Sequence, residues 1–282
     1  MSRPGRWLKF DRGMEHLQAV RAELATILAG PGPKIELISA FDADDQAWVL
    51  STGDVQRVEN TTLGLVVGDA VQNLRAALDH LVLDLSILDS AAWPIDSRGR
   101  LIRTQFPVHT CKTNFDSSKS VSLAGLNAAH VSQIEAFQPF VTGSDAVTSL
   151  VNISNEDKHR VIQTVVSNDL ATSPFVQRTS GCEVVGDAGI RSAPFQLPIL
   201  QGSLDAHMEI ARLPLTNIDG EPHVDIGIEV LISVTLRDGR GVGNVLEACA
   251  RVVEEILRDF EQNLATPHAD QIRGAADAAY FR

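Results

Sequence analysis

Two stretches of this chain gather the side chains that can move protons or hold anions. In the first, Asp69, Asn73, Arg75, Asp79, His80 and Asp84 sit in an otherwise apolar run. On a helix turning about 100° per residue, Asn73, His80 and Asp84 fall within roughly 60° of Asp69, one above another. Arg75 and Asp79 share another side at i,i+4 spacing, where they can pair. In the second, Asn155-Glu156-Asp157-Lys158-His159-Arg160 packs acids, bases and a histidine into six consecutive positions.

An imidazole titrates near neutral pH, and a neighbouring carboxylate can fix its tautomer. His80 and His159 therefore read as acid–base groups or metal ligands, with Asp69 and Asp157 as carboxylate partners, and Asn73, Arg75 and Asp79 complete the catalytic candidates. Arg75, Lys158, Arg160 and Asn155 read as the groups that would bind an anionic part of a substrate. The plain alternatives are a solvated helix edge and a helix C-terminus whose cations complement its dipole. A third is a polar network that only ties two helices together.

Spacing argues against several chemistries. The chain has no H-x3-H, H-E-x-x-H or C-x2-C arrangement, so no metal is expected. Gly239-x-Gly241-x-Gly243 lacks the GK[ST] ending of a P-loop and follows an apparent antiparallel strand, so it reads as a turn, and no cofactor is expected. A net charge of −12 disfavours general DNA or RNA coating, although a local basic pocket remains compatible with it. The longest apolar run, Leu63–Leu85, is broken by charges, so no membrane span is expected. Cys111, Cys182 and Cys249 are odd in number and far apart, which fits reduced, mostly buried thiols and a cytoplasmic location.

The elements that would position these groups follow from periodicity. Helices are predicted at Asp11–Leu28, Thr61–Leu88, Leu123–Asn127, His130–Phe137, Ala146–His159 and Asn244–Leu264. A hairpin is predicted from Lys34–Phe41 and Ala47–Ser51 around the acidic turn Asp42, Asp44, Asp45. Further strands are expected at Val161–Val166, Cys182–Val185 and Met208–Leu213, with one long strand at His223–Arg237. Asp89–Pro107 reads as a loop with at most a short hairpin, and the tail after Pro267 as prone to fraying. The fold class is α+β: a helical N-terminal half (1–160) with a hairpin, then an antiparallel meander sheet packed by a long C-terminal helix (161–282).

The run Gly68-Asp69-x-x-x-Asn73-Leu74-Arg75-x-Ala77-Leu78-Asp79-His80-Leu81, with Phe106-Pro107, Gln138-Pro139 and Asn155-x-Asp157-Lys158-His159-Arg160, resembles a widespread set of bacterial proteins without assigned activity. The start of the first helix, Arg12-x-x-Glu15-His16, looks similar too, so the resemblance covers roughly residues 10–165. It implies which positions recur: Asp69, Asn73, Arg75, Asp79, His80, Asp157, Lys158, His159 and Arg160. Such relatives carry His before the Asn and Ser after the Arg, where this chain has Gln72 and Ala76. Arg75-x4-His80 also resembles the helical signature of HEPN nucleases, which cleave RNA without metal and usually as dimers. Arg103 and His109 make a comparable spacing. In a straight helix Arg75 and His80 lie roughly 140° apart, so they would converge only through a bend or across a homodimer.

Two functions are expected from these residues. One is a hydrolytic or nucleolytic enzyme, an HEPN-like ribonuclease in its sharpest version, acting on a small molecule or RNA between the 69–84 helix and the 155–160 segment. The other is a non-enzymatic binding or assembly protein in which the same residues form a structural polar network.

Overall fold

The computed structural model describes residues 3–102, 104–158, 160–170, 174–186, 189–191, 204–264 and 267–280. The chain forms two compact units, one mainly helical (Met1–Glu23, Thr61–Ile162 and Val242–Arg282) and one of strands (Leu24–Asn60 and Gln163–Gly241). The fold is α+β, as its residue patterning predicts.

In the helical unit, α1 (Gly5–Leu28) runs antiparallel along α2 (Thr61–Ser90). Gly5 faces His80, and Gly13 faces Leu74. The centre of this unit is α2, whose Leu63, Val67, Leu74, Leu78, Leu81 and Leu85 are fully buried. Its run of Ala, Leu and Val without proline favours one long helix. Around it lie α3 (Lys112–Ser122), α4 (Ala128–Ala136), α5 (Pro139–Thr142), α6 (Asp145–Asp157), α7 (Val242–Asp259), α8 (Glu261–Leu264) and α9 (Pro267–Tyr280). Both α6 and α7 pack on α2 and on each other. The apolar stripe of α7, including Val245, Cys249, Val253 and Ile256, is buried there, with the Cys249 thiol donating to Ala146 O.

The strands are β1 (Ile35–Asp42), β2 (Ala47–Val55), β3 (Val58–Glu59), β4 (Thr164–Leu170), β5 (Phe175–Ser180), β6 (Glu183–Gly186), β7 (Gly189–Arg191), β8 (Glu209–Thr216), β9 (His223–Gly227) and β10 (Val230–Leu236). Among the described residues they form sheets ordered β1-β2-β8-β6-β7, β10-β4-β3 and β5-β9, all antiparallel. The acidic hairpin turn is closed by Asp42, whose carboxylate accepts from the backbone N–H groups of Asp44 and Asp45. Trp48, Val176, Val184, Leu213, Leu215 and Val224 make the main apolar cluster of this unit.

Five expectations differ from the structure, the first being the helix expected at Leu123–Asn127, a stretch that lies in the turn after α3. The long strand expected at His223–Arg237 is two strands in separate sheets, because the chain leaves one ladder at Gly227 and enters another at Val230. The long C-terminal helix belongs to the helical unit, so the division at 160/161 does not follow the compact units. The tail after Pro267 is the helix α9, tied to α2 by Arg273 on Asp84 and to the segment after α2 by the Trp93 indole N–H donating to Asp277 (2.9 Å). Of the three thiols, only Cys249 is buried, and Cys111 is exposed. No described helix is long and apolar enough to cross a membrane.

Candidate functional site

The two polar motifs meet because α2 has no side chains where the second motif crosses it. A Cβ on Gly64 would lie 2.1 Å from the Ile162 carbonyl oxygen, and one on Gly68 would lie 2.2 Å from the Asp157 carboxylate. Helical glycine costs about 1 kcal/mol relative to alanine, and here it gives close approach of the 157–162 segment. One turn on, Gln72 reaches the same segment. Its amide donates to Ser154 O (2.9 Å) and Asp157 Oδ2 (3.2 Å) and accepts from the Ser154 hydroxyl (3.2 Å). The Gln72 side chain thus satisfies a carbonyl at the C-terminal turn of α6.

A further turn along α2, Arg75 and Asp79 form the expected i,i+4 ion pair (3.2 Å). Both also hold the main chain of Phe106: Arg75 donates to its carbonyl, and its N–H donates to Asp79 Oδ1 (2.9 Å). The Phe106 ring itself is fully buried. Gln138, also fully buried, completes the hold. Its amide N–H group donates to Pro107 O (2.9 Å), and its carbonyl oxygen accepts from the His109 N–H (3.0 Å). The Phe106-Pro107 and Gln138-Pro139 pairs therefore fix one wall of a cleft.

That cleft, about 200 Å³, lies between α2, the 105–109 segment and the end of α6. Its polar lining includes Arg75, Asp79, His109, Asn155 and Lys158, with Pro107 and Val151 among the apolar walls. Lys158 is exposed and donates to Asn155 Oδ1 (3.3 Å). Burial pushes the His109 imidazole below its ordinary pKa of 6.5, so it is neutral at pH 7. With Arg75 and Asp79 offsetting each other, Lys158 leaves the cleft a locally cationic spot on a chain of net charge −12. That charge suits an anionic group.

Because folding lowers the His109 pKa, its neutral form stabilises the fold. The contribution is present above pH 6.5 and is lost as pH falls through the lowered value. Wild type is therefore expected to lose more stability than His109→Gln between pH 7.5 and about pH 5. Urea midpoints at the two pH values measure it, and parallel losses in both proteins would refute it.

The structure brings together Arg75, Asp79, Asn155 and Lys158, with Asp157 just behind them under Gly68 and Gln72. The other candidates lie elsewhere. Asp69 is exposed, and the Asn73 side chain donates back to the Asp69 carbonyl (2.8 Å) within the same helix. His80 packs against Gly5 of α1, off the cleft lined by Arg75. Arg160 is exposed and pairs with Glu156 (3.2 Å). His159 and Arg103 lie outside the described residues. Among the described residues, no group of three or more His, Cys, Asp or Glu side chains is placed to hold a metal ion.

No family model, curated protein or solved structure matches this chain. The site therefore has to be read from its own geometry. Residue types alone did not single out His109 as a cleft group. Its signal was its place two residues after Phe106-Pro107, in a segment whose main chain is bonded to three other side chains.

Proposed function

We propose that this chain is a hydrolase of small phosphoesters that binds the anionic group of its substrate at Lys158, Asn155 and Arg75. The observation that carries this reading is the convergence of two sequence-distant polar motifs on one cleft holding cationic groups and a neutral imidazole. A volume of about 200 Å³ suits a phosphoryl group with a small attached fragment better than a drug-sized ligand, which takes roughly 300–1,000 Å³. The ribonuclease version would need His80 to share the cleft with Arg75, and His80 is instead engaged at Gly5. Kinship with the bacterial set that shares the two motifs belongs to the same reading.

The second reading, a structural polar network, is favoured by one specific observation: Arg75 and Asp79 both bond the main chain of Phe106. Lys158 separates the two, since it is exposed and, among the described residues, its side chain bonds only Asn155. The test is hydrolysis of 4-nitrophenyl phosphate, together with calorimetric binding of inorganic phosphate. Lys158→Ala is expected to weaken phosphate binding and raise KM about tenfold, the loss of one charge-assisted contact of roughly 1.4 kcal/mol, with the melting temperature unchanged. Absence of both phosphate binding and turnover in the wild type sinks the hydrolase and leaves the structural network. Cleavage of single-stranded RNA in place of the aryl phosphate would restore the nuclease.

A further inference from the structure

We infer that His109 is the general base of this site, with Ser118 and Gln138 as the positioning residues that fix which ring nitrogen carries its proton and where the ring stands. The inference rests on the phosphoester reading above and adds to it the group that takes the proton.

The tautomer follows from hydrogen-bond bookkeeping. Ser118 lies on α3 with its hydroxyl 3.0 Å from His109 Nε2. That hydroxyl has one proton, and it donates it to Phe115 O at 2.9 Å. With that proton on Phe115 O, the oxygen accepts from the imidazole, which assigns the ring hydrogen to Nε2. In a neutral ring this leaves the lone pair on Nδ1. Neutrality has its own support, since burial of the ring disfavours its charged form. The arrangement repeats the general logic of an activated imidazole: one nitrogen is spent on an orienting partner so that the other is a base.

The ring's position is fixed as firmly as its protonation. Gln138 is fully buried and accepts from the His109 backbone N–H (3.0 Å) while donating to Pro107 O (2.9 Å) and Ile134 O (3.3 Å). The Phe115 ring stands edge-on to the imidazole with centroids 6.5 Å apart, which limits rotation about the side chain. The charged groups that share the cleft with His109 are Arg75 and Asp79 from α2 and Lys158 from α6. From α3 the ring meets Ser118 and Phe115. Lys119, over the Phe115 ring, is held by Asp116 and Glu135.

In the reaction, a water molecule attacks phosphorus as its proton passes to His109 Nδ1. The new O–P bond forms while the bond to the leaving oxygen breaks, and the leaving alkoxide takes a proton from solvent. The imidazolium then returns its proton to solvent. The sum is ester plus water giving alcohol plus phosphate, with no redox change. Arg75 and Lys158 stabilise charge on the phosphoryl oxygens.

Long-range proton–nitrogen correlation spectra of the intact protein report the tautomer without requiring activity. The His109 signals are assigned by their loss in His109→Gln. Expected are an Nε2–H tautomer in the wild type, a mixture of tautomers in Ser118→Ala, and recovery in Ser118→Thr. His109→Gln should lose roughly 10²- to 10⁴-fold in kcat on 4-nitrophenyl phosphate. The acid limb of the wild-type rate should fall below pH 6.5 and move further down in Ser118→Ala, which removes an acceptor that favours the charged ring. An Nδ1–H tautomer, a spectrum indifferent to Ser118→Ala, or full turnover in His109→Gln overturns the assignment and leaves the hydrolase intact. Correct tautomers without any turnover overturn the hydrolase, and the base role with it.

Discussion

Asp84→Ala is expected to cost the fold about 3–5 kcal/mol, the usual result of leaving one member of a buried ion pair alone. Arg6 Nη1 donates to Asp84 Oδ2 at 2.7 Å, and the two side chains are only 3% and 2% exposed. The other Asp84 oxygen accepts from Arg273 on α9. Without the carboxylate, Arg6 keeps, among the described residues, only Glu261, 3.2 Å away and 36% exposed. The Arg6 guanidinium would then be a buried charge with most of its compensation gone. Asp84→Asn keeps the shape and loses the charge, so it should cost nearly as much. Urea unfolding reads both, and a loss under about 1 kcal/mol for the alanine variant would put this pair among the weak surface bridges.

Gly64→Ala should destabilise by about 2 kcal/mol, even though alanine is intrinsically the better helix former by roughly 1 kcal/mol. The added methyl would stand 2.1 Å from the Ile162 carbonyl oxygen, and a backbone atom cannot swing away. Overpacking therefore outweighs propensity. Gly68→Ala meets the Asp157 carboxylate, the mobile end of a side chain, so its cost should be smaller. The ranking is the test: thermal midpoints must fall further for Gly64→Ala. Should Gly68→Ala prove the worse, then the Asp157 contact, not the backbone crossing, sets the distance between α2 and the second motif.

Much of this was legible where one period dominates over many residues. The span of α2, the β1–β2 hairpin with its acidic turn, and the apolar stripe of α7 all follow from local pattern. The break between β9 and β10 does not. Ile226, Ile228, Val230 and Ile232 keep the same alternation whether the chain continues in one ladder or changes sheets. The helical wheel was similarly blind to position along the axis. It aligned Asp69 and Asp84 on one strip, yet Asp69 is exposed and Asp84 is 4% exposed beneath Arg6. A wheel gives a side chain's direction, while burial depends on which element covers that turn. The same argument separates Arg75 from His80. Their wheel angle sends one to the cleft and the other to Gly5. Gln138 and Phe106-Pro107 were visible as residues, but their bonding across 31 positions is a property of the tertiary structure.

The helical unit is stitched from three separated stretches of the chain, the last beginning at Val242. A ribosome releasing this polypeptide from its N-terminus therefore exposes the apolar faces of α2 and α6 long before α7 exists to cover them. Asp84 meets Arg6 across 78 positions but waits for Arg273 across 189. Such late closure makes for slow maturation and a long-lived, sticky nascent species. Cells producing this protein would have to shelter that species until synthesis is nearly complete.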